Sequence, residues 1–289
     1  MDQRITIEFK NAVDLAELIK KYGHNFAEYE TLQIGHDGNI YILFNRKIPE
    51  RIDGMFVPTQ SNSGFAVLVL QIDWDEEKIT DEKYYDLGQK KMFYSFVQPI
   101  EEGFLLVSAR CMNYKQGPEQ NAAVVDLAGN IIEEFCLGDG ISYCLVHPDL
   151  GIVTGYFDEG IIGNYGWKQP LGADGVRIWG RGARDIWRAD RPIYDCYALN
   201  ISDAGALWYY YYAEFKLVKV NARDFSEREF VPGIDGADSL IISEDEVTLF
   251  MDKGYDANEQ FVARKVLGDR LGEEMAVEFK YNGENCKVR

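Results

Sequence analysis

One pattern recurs five times along the chain: a short apolar run, a polar turn and a second apolar run. It appears as TLQIGHDGNIYILF (31–44), YSFVQPIEEGFLLVSA (94–109), SYCLVHPDLGIVTGYF (142–157), YALNISDAGALWYYYY (197–212) and SLIISEDEVTLFM (239–251). Asp, Glu and Gly in the turns supply the backbone angles and local hydrogen bonds of a tight reversal. The flanking runs are apolar on both alternations, as strands covered on two faces must be. FCLGDG (135–140) leads into the third hairpin and FVPGIDG (230–236) into the fifth; the third ends VTGYFDEG (153–160), the fifth VTLFMDKG (247–254). Likeness that runs past the hairpin into the linker marks a repeated unit. The units follow one another at about 40–65 residues, a blade spacing and too long for most solenoid repeats.

Two more strand-like runs fit between successive hairpins. They are FAVLVLQID (65–73) and KYYDL (83–87), NAAVVDL (121–127) and NIIEEFCL (130–137), GVRIWG (175–180) and ARDIWRA (183–189), EFKLVKV (214–220) and SEREFV (226–231), FVARKVL (261–267) and EMAVEFKY (274–281). Four strands per unit and five units predict an all-β fold, a β-propeller of about five four-stranded blades in a single domain, 1–289. A six-bladed ring with one poorly marked blade satisfies the same pattern, and a β-sandwich or irregular β-solenoid is the rival architecture. Residues 1–29 differ. ITIEF (5–9) alternates like a strand, and AVDLAELIKKY (12–22) reads as an amphipathic helix with Asn11 as N-cap and Gly23 as its stop. Ile5, Ile7 and Phe9 are expected to add a strand to the last blade, covering the edge where the ring closes.

The charge balance limits partners. With 48 acidic and 30 basic residues the net charge is −18, which repels nucleic-acid backbones and anionic membrane surfaces and suits a basic partner or a metal ion. MDQRITIEFK shows no secretory pattern, and no run approaches the ~20 apolar residues of a membrane span. Five cysteines, Cys111, Cys136, Cys144, Cys196 and Cys286, form no CxxC pair; an odd count without an export signal predicts reduced thiols in the cytoplasm. With three histidines a structural zinc site is not expected.

Loop lengths pick out one face. The connections from second to third strand run 45–64, 110–121 and 158–175 in the first three blades, are nearly absent in the fourth and moderate (252–260) in the fifth. Long loops in a compact domain are often functional. The ends of the second strands, Asn45, Arg46, Arg110, Asp158, Glu159, Tyr212, Glu214, Asp252 and Lys253, are expected around the channel mouth. Asp158 and Asp252 occupy matching places in two repeats; they either share a cation such as calcium, act as acid and base, or cap their own turns. In YFDEGIIGNYGW (156–167), three glycines recur every third residue beside Asn164, Tyr165 and Trp167, a loop whose backbone can approach a ligand closely. Candidate binding residues are therefore Asp158, Glu159, Asn164, Tyr165, Trp167, Arg110, Tyr212 and Asp252. Arg177, Arg181, Arg184, Arg188 and Arg191 form a basic island that either holds an anion or pairs with acidic neighbours. WYYYY (208–212) reads as a stacking surface or as a central strand with aromatics on both faces. His147-Pro148-Asp149 reads as turn chemistry, Cys144 and Cys196 as small buried residues. No GxSxG, HExxH, P-loop, EF-hand or dinucleotide motif is present.

YFDEGIIGNYGW (156–167) and DCYALNI (195–201) resemble segments of uncharacterised bacterial propeller-like proteins, a resemblance that spans the middle third of the chain and implies the propeller fold without an activity. A weaker likeness is to the gluconolactonase and regucalcin class, which would make Asp158, Asn200 and Asp252 counterparts of axial metal ligands, although that class's characteristic motifs are absent. No GH…WD pair recurs. The expected function is a non-catalytic cytoplasmic propeller that binds a protein or small molecule through its long-loop face, in one form an acidic inhibitor or immunity-type protein, with no cofactor assigned. The alternatives are a metal-dependent hydrolase or lactonase at the channel mouth and a carbohydrate-binding propeller.

Overall fold

Alternation along each second strand decides how the sheets stack. The computed structural model describes residues 4–243, 248–252, 254–256 and 260–286; among them are five antiparallel four-stranded blades in chain order, the fifth extended to seven strands by an N-terminal strand and two short strands, and a two-stranded ribbon at 113–118. In blade 1 (Tyr29–Ile34, Ile40–Asn45, Gln60–Asp73, Lys78–Met92), Tyr41 and Leu43 turn towards blade 2 and pack on Val97, Phe104, Leu106 and Val125. Blade 2 (Phe96–Ile100, Gly103–Val107, Ala122–Asp126, Ile131–Phe135) sends Leu105, Val107 and Val124 onto Cys144, Ile152 and Trp179 of blade 3. Blade 3 (Ile141–His147, Gly151–Tyr156, Val176–Gly180, Arg184–Arg188) sends Val153 and Ile178 onto Tyr209 and Tyr211 of blade 4. Blade 4 (Asp195–Ile201, Leu207–Tyr212, Lys216–Val220, Glu227–Phe230) sends Trp208 and Tyr210 onto Leu240, Met251 and Val262 of blade 5. Blade 5 comprises Leu240–Ser243, Thr248–Asp252, Phe261–Leu267 and Met275–Tyr281. Residues i and i+2 of a strand share a face, so the second strands of blades 2 to 4 each feed two interblade cores, that of blade 1 feeds one interblade core and the core under the N-terminal helix, and their near-continuous apolar sequences follow. WYYYY is such a strand: Trp208 to Tyr211 are fully buried, and only Tyr212 emerges.

The N-terminal segment runs from the last blade to the first. Arg4–Phe9 pairs in parallel with Met275–Tyr281, and Phe9 stacks on Phe279, as the alternation of Ile5, Ile7 and Phe9 predicts. The chain then crosses to blade 1: Lys10 N–H donates to Glu77, and the Asn11 amide donates to the Glu76 carbonyl. Helix α1 (Leu15–Lys21) lays Leu18 and Ile19 on Ile42, Phe44 and Leu68, the face of blade 1 turned away from blade 2. The N-cap is Asp14 rather than Asn11, because the helix begins at Leu15 and the Asp14 carboxylate accepts from Ala16 and Glu17 N–H at 2.8 and 3.1 Å. Gly23 ends the helix at φ +78° as expected. Deleting residues 1–10 strips an outer strand and its crossing contacts while leaving α1 in the chain. We expect a clear fall in melting temperature by circular dichroism, and an unchanged melt would show that closure does not depend on this strand.

Polar side chains stitch the innermost strands around the channel. Gln33 accepts from Val97 N–H and donates to the Cys144 carbonyl; Gln98 accepts from Val146 N–H; Tyr143 donates to the Tyr197 carbonyl; Asn200 donates to the Leu240 carbonyl. Blades 1 to 5 are thereby pinned in succession, from the first to the fifth, by hydrogen bonds that satisfy these partly or fully buried groups. The turn of the fifth hairpin, 244–247, and Lys253 lie outside the described residues.

Candidate functional site

The long loops of blades 1–3 interlock. Arg110 follows the second strand of blade 2 and meets Asp139, which lies in the linker to blade 3. Nε and Nη2 each donate at 2.9 Å to the two carboxylate oxygens, and Nη1 reaches Glu159 at 2.6 Å. The guanidinium lies 3.9 Å from the Tyr165 ring centroid, a cation–π contact in a desolvated place. Asp139 also accepts from Cys111 N–H at 2.7 Å. Arg110 is 9 % exposed and Asp139 1 %. Tyr165 is buried as well, its hydroxyl donating to the Val57 carbonyl in the loop of blade 1, and buried Trp167 donates from Nε1 to the Cys111 carbonyl. Glu119, at the far end of the blade 2 loop, accepts from Met112 N–H, Thr59 and Gln60. The side chains that the loop sequence offers for ligand contact, Arg110, Tyr165 and Trp167, thus hold the loops to one another. Asn164 accepts from Tyr165 N–H within the same turn.

The repeated linker has a physical cause. Asp158–Ile162 forms the short helix α2, which packs backbone to backbone on the linker: a Cβ on Gly160 would lie 2.4 Å from the Asp139 carbonyl oxygen. In the sister repeat, a Cβ on Gly254 would lie 2.1 Å from the Asp235 carbonyl oxygen. FCLGDG with FDEG, and FVPGIDG with MDKG, are therefore one device, an Asp-Gly linker lying against a glycine two residues beyond Asp158 or Asp252. Those two aspartates serve local backbone. Asp252 accepts from Asp238, Ser239 and Gly254 N–H at 2.8, 2.8 and 2.6 Å, and Asp158 accepts from Glu159 N–H at 2.7 Å.

On the same face, over blades 3 to 5, a second cluster stays open to solvent. Tyr197 stacks on Tyr212 with centroids 5.9 Å apart, its hydroxyl meets that of Tyr255 at 2.7 Å, and Phe215 stands edge-on to Tyr255. Tyr212 is 42 % and Tyr255 63 % exposed. Carboxyl groups surround these rings. Burial, with the Asp158 charge beside it, pushes the Asp195 carboxyl up to about 6, and burial next to Asp252 raises that of Asp238. Tyr143 donates to the Tyr197 and Asp238 carbonyls and links the three blades. The neighbouring Lys216 already pairs with Glu214 and Glu229. Of the residues singled out by sequence, Tyr212, Asp158 and Asp252 border this cluster; Asp195, Tyr197, Asp238 and Tyr255 do not stand out by motif. Three of the five arginines of the island pair with acids: Arg177 with Asp185, Arg181 with Glu102 and Glu133, Arg191 with Glu227 and Glu229.

The deep concavities open on the opposite face. One of about 770 Å³ lies between blades 1, 2 and 3, walled by Tyr85, Phe104 and Trp179 and rimmed by His36, Glu101 and His147. Another of about 530 Å³ is the channel mouth itself, lined by Ile34, Trp74, Asn200 and Ser202. Among the described residues no three His, Cys, Asp or Glu side chains converge as a metal-ligand set, and no helix is long and apolar enough to cross a membrane.

No protein-family model matches this chain, and no curated protein matches it. Among solved structures it is similar to Kluyveromyces lactis Hsv2, at 8% identity and TM-score 0.51 over 86% of this chain and 63% of that one. The form of that protein in which loop 6CD is replaced by a Gly-Ser linker aligns at 8% identity and TM-score 0.50 over 85% of this chain and 65% of that one. A Dos1 propeller aligns at 11% identity and TM-score 0.48 over 95% of this chain and 64% of its own. The aligned regions span under two thirds of each of these three chains. At this identity the likeness is one of fold, and the fold is an all-β propeller.

Proposed function

We propose that this protein is a non-catalytic binding propeller whose loop face takes a basic protein partner, and that the contact is centred on Tyr212 and Tyr255 with Asp158, Asp195 and Asp238 around them. The observation that carries this reading is the exposed tyrosine cluster ringed by carboxylates on a chain of net charge −18. Tyrosine supplies contact area at low entropic cost, and its ring face attracts Lys and Arg; interface hot spots favour such residues. The narrower form is an inhibitor or immunity-type protein that neutralises a basic toxin or enzyme. A cytoplasmic setting belongs to the same reading and is supported by five free thiols. Kinship with the propeller-like proteins that carry a YFDEGIxGN-type segment is part of it too. The hydrolase reading is less well supported, because Asp158 and Asp252 are hydrogen-bonded to their own turns. The cavity of about 770 Å³ favours a second reading, a small ligand on the opposite face.

The test uses an arginine- and tryptophan-rich decapeptide as probe, titrated calorimetrically. Binding is expected to strengthen from pH 5 to 7.5, because Asp195 loses its proton near 6 and only its carboxylate attracts a cation, and to weaken with salt. Tyr212→Ala with Tyr255→Ala is expected to lower affinity about tenfold, and Asp195→Asn to flatten the pH dependence. Undiminished binding by the double variant would overturn the reading, and loss of binding on changing Glu101 and Asp37 instead would move it to the other face.

A further inference from the structure

Beneath the interlocked loops two of the five thiols meet. Cys111 and Cys136 place their sulfurs 3.7 Å apart. Cys111 is fully buried, and its main chain is held at both ends, N–H by Asp139 and carbonyl by the Trp167 indole. Cys136 follows the last strand of blade 2 and is half-buried, so it is the member that solvent reaches. We propose that Cys111 and Cys136 are a redox-active dithiol that a hydroperoxide closes to a disulfide across the base of the loop cap. This site is independent of the binding reading above.

The environments assign the roles. Hydrogen bonds from the Cys111 thiol and from the Gly138 backbone lower the Cys136 thiol below its ordinary value, while its partner and burial hold Cys111 protonated. The thiolate is the nucleophile, and a low-pKa, accessible cysteine beside a second thiol is the arrangement of a peroxide-sensing pair. In the first step the Cys136 thiolate attacks the outer peroxide oxygen; the O–O bond breaks, the alcohol leaves with a proton from solvent, and Cys136 becomes a sulfenic acid. In the second step the Cys111 sulfur attacks the Cys136 sulfur, its proton leaves with the displaced hydroxide as water, and the S–S bond forms. Two thiols and one hydroperoxide give one disulfide, one alcohol and one water. The sulfurs must close to about 2.05 Å, a movement taken up by Cys111 and Cys136 in the loop segments that carry them. Cys144 and Cys196 are buried singly, with thiols raised by desolvation.

The experiment treats the folded, fully reduced protein with a few equivalents of tert-butyl hydroperoxide, alkylates after denaturation and maps peptides without reductant. The expected result is a Cys111–Cys136 linked peptide two hydrogens lighter than the reduced pair, with Cys144 and Cys196 still alkylated. Cys111→Ser is expected to leave a dimedone-reactive sulfenic acid on Cys136, and Cys136→Ser to abolish both products. Recovery of Cys111 and Cys136 as separately alkylated peptides from the oxidised wild-type protein, or a disulfide that pairs either with another cysteine, would overturn the proposal without reference to any variant.

Discussion

Replacing Asp139 by Ala is expected to destabilise the protein by about 3–5 kcal/mol, because it leaves the Arg110 guanidinium buried with one fewer carboxylate. Asp139 is 1 % exposed and accepts from two Arg110 nitrogens and from Cys111 N–H. The loss of those acceptors strands three donors where water does not reach, beside the Tyr165 ring that lies against the guanidinium. The pair itself is not worth that much. Replacing both partners at once, Arg110→Met with Asp139→Leu, removes the stranded charge, so most of the loss should return. Urea unfolding of the single and double variants separates the two accounts: equal losses in both would mean that the ion pair is stabilising in its own right.

Trp208→Ala is expected to cost about 3–5 kcal/mol, the range for deleting a large buried aromatic. The indole is fully buried between blades 4 and 5, stacked on Phe230 at 5.6 Å and packed in the cluster that holds Leu217, Leu240 and Val262. Among the described residues its Nε1 has no hydrogen-bond partner. Trp208→Phe therefore discards an unsatisfied donor along with part of the ring and should cost clearly less than the alanine change. Tyr212→Ala, at the solvent end of the same strand, should stay within about 0.5 kcal/mol. Thermal melts of the three variants give the order directly; a Tyr212 effect as large as that of Trp208 would contradict the placement of Tyr212 at the solvent end of the strand.

How much of this was legible in the sequence follows from what each element depends on. The blades were readable because every second strand is apolar on both alternations, and because an Asp-Gly linker recurs in two of the repeats, where it meets the backbone of a glycine. Blade 1 is less plain: its outer strands run on through Gln60–Gly64 and Gln89–Met92, where the buried side chains include polar Ser63 and Lys90, so no apolar period marks the extension. At the candidate site, YFDEGIIGNYGW drew attention through its composition, yet composition does not say whether an aromatic faces ligand or its own chain. Tyr165 and Trp167 face the chain. Asp195, Asp238 and Tyr255 are ordinary letters at strand starts and turns; only three blades meeting at one mouth bring them together, and that juxtaposition depends on contacts far apart in sequence.

The closing strand carries a consequence for biosynthesis. Arg4 finds its partner at Glu278, 274 positions away, so the strand of residues 4–9 waits for the fifth blade to be made. Blades 1 to 4 are composed of local hairpins and can form in order as they emerge, since domains made of nearby contacts organise quickly. The strand of residues 4–9 cannot. Until residues 275–281 are made it is an unpaired strand with apolar residues on one alternation, and the fifth sheet lacks its outer edge, two complementary surfaces open to the wrong partner. A second nascent chain on the same message could supply the missing strand, which makes exchange of the N-terminal segment between molecules the characteristic error of this architecture.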